Sequence, residues 1–195
     1  MSAPFEIIAA PFTLYLAPVG TEFPTMETDP LELWYKVGTS GTKSYDEAGV
    51  TVTHDDTKTT FTPAGGRIPR KVWRTEEQIK IECELVDLSP EQYAKALNDQ
   101  VVTTVAAGVG IAGEKNFPLE LGADVALFAL VARGPSTVDD SLVAQYEVPI
   151  VYQGEKPAPV HTKGKPASLK LGFYALEDDV LGSGKLRIQT AAPTS

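Results

Sequence analysis

The stretch that most constrains the fold runs from Gly49 to Asn98. Between Lys71 and Asp87, the residues Ile79, Ile81, Cys83 and Leu85 alternate with Lys80, Glu82 and Glu84. A period of two over this length specifies a strand with one face buried and the other, carrying charges of both signs, in water. Before it, Gly49 to Thr62 is polar and β-prone, and Pro63 to Arg70 is a Gly/Pro-rich tip, so the pair predicts a hairpin. After it, Ser89 can cap a helix over 89–98, with Pro90 at the first helical position and Gln92 three residues past the cap. Tyr93 and Leu97, four apart, give that helix one apolar stripe to lay on a sheet. Two strands, a long tip and one helix suit an assembly device better than a catalytic pocket.

The rest of the chain adds short strands. Phe12, Leu14 and Leu16 alternate with Thr13 and Tyr15 up to the turn signal Ala17-Pro18-Val19-Gly20. Thr21 to Pro30 has no usable period and predicts an extended connection, after which Leu33 to Val37 resumes strand character with Trp34 and Tyr35 as aromatic anchors. Val101 to Ala107 is apolar and β-branched, followed by a Gly-rich loop at 108–113. Val125 to Val131 is a continuous apolar run suited to a strand buried on both faces, which nominates Leu127 for the centre of the core. A polar connection follows at 136–141. Gln145 to Tyr152 is interrupted by Pro149, which belongs at an edge or a bulge. A Pro/Lys-rich loop at 154–166 leads to the alternation Leu169, Leu171, Phe173, a turn at Glu177-Asp178-Asp179 and a short edge strand over 185–189. Many short strands and one helix predict a mainly antiparallel β-sandwich or barrel with the helix packed alongside, as one domain over 1–195 with a short N-terminal arm at 1–10 and a frayed tail at 190–195.

Composition excludes several classes. The 195 residues suffice to bury roughly 70% of the unfolded surface without disulfides or metals. Cys83 is the single cysteine and falls at an inward strand position, so it reads as a small buried hydrophobe, in keeping with a reducing cytoplasm. No run approaches the roughly 18 apolar residues of a membrane span, and the start Met-Ser-Ala-Pro-Phe-Glu lacks the features of a signal peptide; a soluble protein made in the cytoplasm is expected. The net charge of −9 argues against a conventional nucleic-acid binder, which needs a basic face. Against that acidic background the tip stands out, because Arg67, Arg70 and Lys71 surround the apolar Ile68. Such a cluster is either a solvated hairpin end or a contact for an acidic surface on a neighbouring copy.

Catalytic and cofactor patterns fail on their context. Gly108-Val-Gly110-Ile-Ala-Gly113 satisfies a dinucleotide fingerprint, yet Pro118 arrives before a helix could open behind it. His54 and His161 are far apart with no second cysteine, so no zinc set forms, and His54-Asp55-Asp56 reads as a solvated strand end. The acid pairs Asp139-Asp140 and Asp178-Asp179 sit beside turn residues, and no serine has an elbow motif. Neither an enzyme nor a cofactor is expected.

Several segments together resemble a known family. They are Leu33 to Thr39 (LWYKVGT), Tyr45 to Val52 (YDEAGVTV), Trp73 to Glu77 (WRTEE), Leu85 to Tyr93 (LVDLSPEQY) and Leu169 to Asp179 (LKLGFYALEDD). In that order they are similar to the major tail tube proteins of long-tailed, siphovirus-type bacteriophages, over roughly residues 11 to 180; Val101 to Gly113 aligns with no element of that family. The resemblance implies a virion structural protein that self-assembles into stacked hexameric rings. These rings would form a tail tube around the tape measure protein, bounded by tail terminator and tail-tip proteins, and conduct phage DNA without binding it specifically. On this reading Arg67, Ile68, Arg70 and Lys71 make ring-to-ring contacts, and Lys80, Glu82 and Glu84 face the lumen or a neighbouring subunit. The subunit would assemble in the host cytoplasm and reside in the virion tail, and an acidic lumen would repel passing DNA over a screening length of about 8 Å. The alternatives are a secretion-system tube protein of similar fold, or a stand-alone β-sandwich module binding carbohydrate or protein through Trp34, Tyr35 and Trp73.

Overall fold

A computed structural model describes residues 11–136 and 141–193. The expected arm at 1–10, the acidic pair Asp139-Asp140 within the polar connection, and the last two residues of the tail lie outside the described residues. The chain is mainly β and antiparallel. In order come β1 (Thr13–Pro18), β2 (Tyr35–Lys36), a 3-10 turn (Gly41–Ser44), β3 (Tyr45–Phe61), β4 (Lys71–Leu85), α1 (Pro90–Ala96), β5 (Thr103–Val105), β6 (Glu114–Asn116), β7 (Leu127–Pro135), β8 (Val143–Gln153), β9 (Leu169–Leu176) and β10 (Lys185–Ile188). Eight of the strands form one sheet in the order β2-β1-β7-β8-β9-β4-β3, with β10 also on β8, while β5 and β6 make a separate two-stranded ribbon.

The sheet curls over one core. Leu14 and Leu16 of β1, Leu130 and Ala132 of β7, Val148 and Val151 of β8, Leu169, Leu171 and Phe173 of β9, and Ile81, Cys83 and Leu85 of β4 all belong to a single buried cluster. The inward sets are those the alternation specifies for β4 and β9. The two ends of the sheet path are tied by Tyr45, whose buried hydroxyl accepts from the Leu14 amide at 3.0 Å and donates to the Val37 carbonyl at 2.7 Å. Burial pushes its pKa upward, against the opposing effect of the Leu14 hydrogen bond. Helix α1 closes the core from one side with Ala94, Ala96 and Leu97 buried. The Ser89 hydroxyl accepts from the Gln92 amide, and Gln92 itself donates to the Lys36 carbonyl at 3.3 Å, covering part of β2.

Strand β8 explains its own proline. The stretch 144–147 takes β10 as neighbour and the stretch 150–153 takes β9, so Pro149 falls at the handover, opposite a register shift in β7 between Phe128 and Leu130. A residue without an amide donor fits there because no ladder bond is required of it.

Strand β7 is buried on both faces from Phe128 to Arg133, since a strap at 20–34 crosses the outer side of the sheet. Trp34 and Phe23 pack there on Ala17, Ala129 and Val131, the two rings 5.7 Å apart. The apolar run thus finds the double burial that its composition requires, but Leu127 does not share it. That residue is 43% exposed at the strand's start, whereas Leu130 is fully buried, so the core centre lies three residues after Leu127. Strand β2 is likewise shorter than the Leu33 to Val37 expectation, because Leu33 and Trp34 belong to the strap.

Candidate functional site

The most conspicuous feature is the outer half of the β3–β4 hairpin. The two strands pair from Tyr45↔Leu85 to Phe61↔Lys71, but β9 accompanies β4 only over Lys80 to Leu85. From His54↔Ile79 outward the hairpin is therefore a two-stranded ribbon with no third strand, about 25 Å long at 3.3 Å per residue. Every residue from His54 to Thr62, and from Ala64 to Glu77, is exposed. The ribbon begins where the apolar alternation of β4 gives out at Ile79, since Thr, Asp, Glu and Lys dominate beyond it.

Local bonds hold the ribbon's shape. Asp56 binds Lys58 at 2.8 Å and Arg74 at 2.7 Å, and Arg74 reaches Glu77 at 3.4 Å. Hydrogen bonds from Lys58 and Arg74 keep the Asp56 carboxyl below the usual carboxylate range. An extra residue in β4, between the pairs Thr57↔Glu76 and Lys58↔Arg74, forms a bulge; Thr75 closes it by donating to the Thr57 carbonyl at 3.1 Å. Such exposed pairs contribute little stability. A ribbon of two strands in water is itself marginal, so its order in isolation is weakly supported.

The ribbon's apolar residues have no cover. Phe61 faces Lys71 and Thr59 faces Trp73, which places both aromatic rings on one face as diagonal neighbours. Phe61 is 55%, Trp73 41% and Ile68 77% exposed. The tip is closed by the Arg70 amide on the Phe61 carbonyl and the Gly66 amide on the Pro63 carbonyl, both at 2.8 Å. Arg67, Arg70 and Lys71 project from it and make no ion pair among the described residues.

Lys80, Glu82 and Glu84 lie elsewhere, at the root of the hairpin on the outer face of the sheet. Lys80 bridges Glu82 at 2.6 Å and Glu155 at 2.5 Å, and stands 5.2 Å from the centre of the Tyr174 ring. Glu82 also takes Lys170 at 3.1 Å, and Tyr174 donates to Glu155 at 3.1 Å. Hydrogen bonds to Glu155 and Glu82 raise the Lys80 pKa, and the first partner of each carboxylate, Lys80, lowers theirs. Glu155 crosses over Gly172, where a Cβ would run into the glutamate side chain. This outer face is therefore half-covered and internally neutralised, while Glu84 is half-buried opposite Lys170.

The aromatic trio of the binding-module alternative is not assembled into one platform. Trp34 is buried between the strap and the sheet, as part of the strap, with its indole donating to the Glu22 carbonyl, Tyr35 is half-buried near Lys95, and Trp73 is on β4 near the opposite end of the sheet order. His54 and His161 are both exposed, and no group of three or more His, Cys, Asp or Glu residues suited to a metal occurs among the described residues. Gly108–Gly113 forms a tight turn with reciprocal Gly108 and Ile111 bonds, leading into β6 rather than a helix. Cys83 is 4% exposed and burial pushes its thiol pKa up to about 12, which leaves it inert at neutral pH.

One polar cluster was not anticipated from the sequence. Beneath the strap, Gln145 and Glu147 of β8 are fully buried, with Arg133 of β7 almost so. Arg133 donates to the carbonyls of Thr25 and Met26 and to Gln145, Gln145 donates to the Pro24 carbonyl and to Glu147, and Arg187 and Lys185 of β10 pair with Glu147 at 2.8 and 2.9 Å. Burial would raise the Glu147 pKa, but the bonds from Lys185, Arg187 and Gln145 outweigh it and hold the carboxyl below its ordinary value. The cluster fastens the strap to the sheet. In sequence Gln145 and Glu147 alternate with Ala144, Tyr146 and Val148 and read as a wetted strand face, so nothing local signals their burial.

No protein-family model matches the chain, and no curated protein matches it. No helix among the described residues is long and apolar enough to cross a membrane.

Proposed function

We propose that this chain is the repeating subunit of a self-assembling tube, of the phage tail tube type, which stacks as rings around a tape measure protein and conducts DNA. The observation that carries the reading is the free-standing ribbon, because the outer parts of the 17-residue β3 and the 15-residue β4, from His54↔Ile79 to Phe61↔Lys71, run on beyond the strand that supports β4. A segment whose two faces and aromatic residues meet only water gains stability when a neighbouring copy covers it. The sheet order supports the same reading, since it ends on β2 at one side and on the long β3 at the other. Pairing such edges between copies would remove the liability that an open strand creates. The sequence resemblance to tail tube proteins supplies the particular kind of assembly, including the hexameric ring, the virion tail location and the terminator and tip partners.

Sedimentation velocity over a wide concentration range tests the proposal. The expected result is a concentration-dependent shift from a 20.9 kDa species to large, regular particles. A single monomeric species at every concentration, with no growth on adding preformed tail tips, counts against it.

A further inference from the structure

The ribbon tip is matched by a second uncovered surface on the same chain, the excursion between α1 and β7. From 101 to 125 only Val102 and Phe117 are even half-buried, and β5 and β6 pair over three residues with both faces exposed. The excursion is fastened at its base and by the ion pair of Lys115 with Glu91. Asn98 donates to the carbonyls of Leu121 and Asp124, Gln100 donates to the Glu120 carbonyl, and Phe117 meets Tyr93 edge-on at 5.6 Å. It exposes Val109, Ile111, Leu119, Leu121 and Val125, each by more than half of its surface. Its basic residue Lys115 is already committed to Glu91, whereas Glu114, Glu120 and Asp124 have no ion pair among the described residues.

Resting on the self-assembly reading above, we infer that the excursion at 101–125 of one copy is the docking surface for the hairpin tip of the next. Three unpaired cations around exposed Ile68, Phe61 and Val72 meet three unpaired carboxylates around exposed aliphatic residues, so charge and apolar character are both complementary. Complementary charge fixes partner and register, and burying the apolar residues supplies the affinity. The strap also carries acids, at Glu27, Asp29 and Glu32, but it spends its inner face on the sheet through Met26 and Trp34, and Asp29 lies 3.8 Å from Arg133. Of the excursion's residues only Val102 and Phe117 are half-buried and the rest are exposed, which makes it the better acceptor. Tip and excursion are different surfaces, so each docking leaves a free tip and a free excursion at the ends, and the contact propagates.

The test mixes two proteins. One carries Arg67→Glu and Arg70→Glu; the other carries Glu114→Lys and Glu120→Lys. All four side chains are exposed, so melting temperatures should stay at the wild-type value. Each protein alone should need at least about tenfold more protein to assemble than wild type, a penalty of about 1.4 kcal/mol per tenfold. An equimolar mixture should recover assembly, because each reversed surface then finds its complement. If wild type assembles but the mixture does not, or if Glu27→Lys with Glu32→Lys replaces the second protein successfully, the tip docks elsewhere and the inference falls while self-assembly stands. If wild type never assembles, the self-assembly reading falls and takes this inference with it. Should a reversed variant fail to fold, oxidation of mixed Ile68→Cys and Leu119→Cys proteins decides the matter, since Cys83 is buried: a disulfide-linked dimer present in the mixture and missing from either protein alone supports the docking, and its absence overturns it.

Discussion

Leu130 has no exposed surface and lies where β1, β7 and β8 meet, so truncating it leaves a void that neighbours on two strands cannot easily fill. Leu130→Ala should cost about 2–5 kcal/mol in chemical denaturation, while Leu127→Ala, at the exposed start of the same strand, should cost less than about 1 kcal/mol. Glu147 makes a different demand. Its folded pKa lies below the ordinary 4.5, so its contribution to stability is fully present above that value and is lost as pH falls through the folded pKa. Glu147→Gln should lower stability at pH 7 by about 1–3 kcal/mol and reduce the loss on acidification below about pH 4.5, read by denaturation midpoints across pH. Equal acid slopes in the two proteins would mean that the strap is not fastened through this carboxylate. The contrast between these residues shows what sequence could locate. The apolar run announced a doubly buried strand, but that Leu130 rather than Leu127 enters the main core follows from its pairing with β1 and β8, contacts far along the chain.

At the scale of elements, those whose signal is local were legible. The cap Ser89-Pro90 with Gln92, the alternation of β4 and β9, and the Pro149 bulge each depend on neighbours within a few residues or on one pairing partner. The sequence predicts, within the strap at 20–34, an extended connection over 21–30 and strand character from Leu33, and, within the excursion at 101–125, an apolar β-branched stretch at 101–107 followed by a Gly-rich loop at 108–113. Nothing in their local pattern says that the first is clamped by Arg133 and Gln145 and that the second stands uncovered despite its apolar residues. The hairpin was visible as two strands and a tip, whereas the loss of its third strand beyond Lys80 follows from where β9 ends. That loss has a kinetic signature. In the unassembled protein, backbone amides from His54 to Phe61 and from Val72 to Glu77 should exchange with solvent orders of magnitude faster than those of Ile81, Cys83 and Leu85, and assembly should slow them. Uniform protection along β3 and β4 in a verified monomer would show that the ribbon is stable without a partner.

For the whole molecule, the main architectural fact is asymmetry. One region of the chain buries an extensive core, clamps a strap over the sheet and neutralises its outer charges through Lys80 and Glu155. Two other regions, the ribbon and the excursion, spend exposed apolar residues and unpaired charges of opposite sign on no internal contact. On the self-assembly proposal, exposed patches of this kind are association surfaces rather than stability devices. The measurement that bears most directly on this account is electron microscopy of the negatively stained, purified protein at low and high concentration. Rings or hollow tubes that lengthen with concentration at constant diameter are the expected result. Isolated particles of monomer size at all concentrations, or irregular aggregates without a lumen, would contradict it.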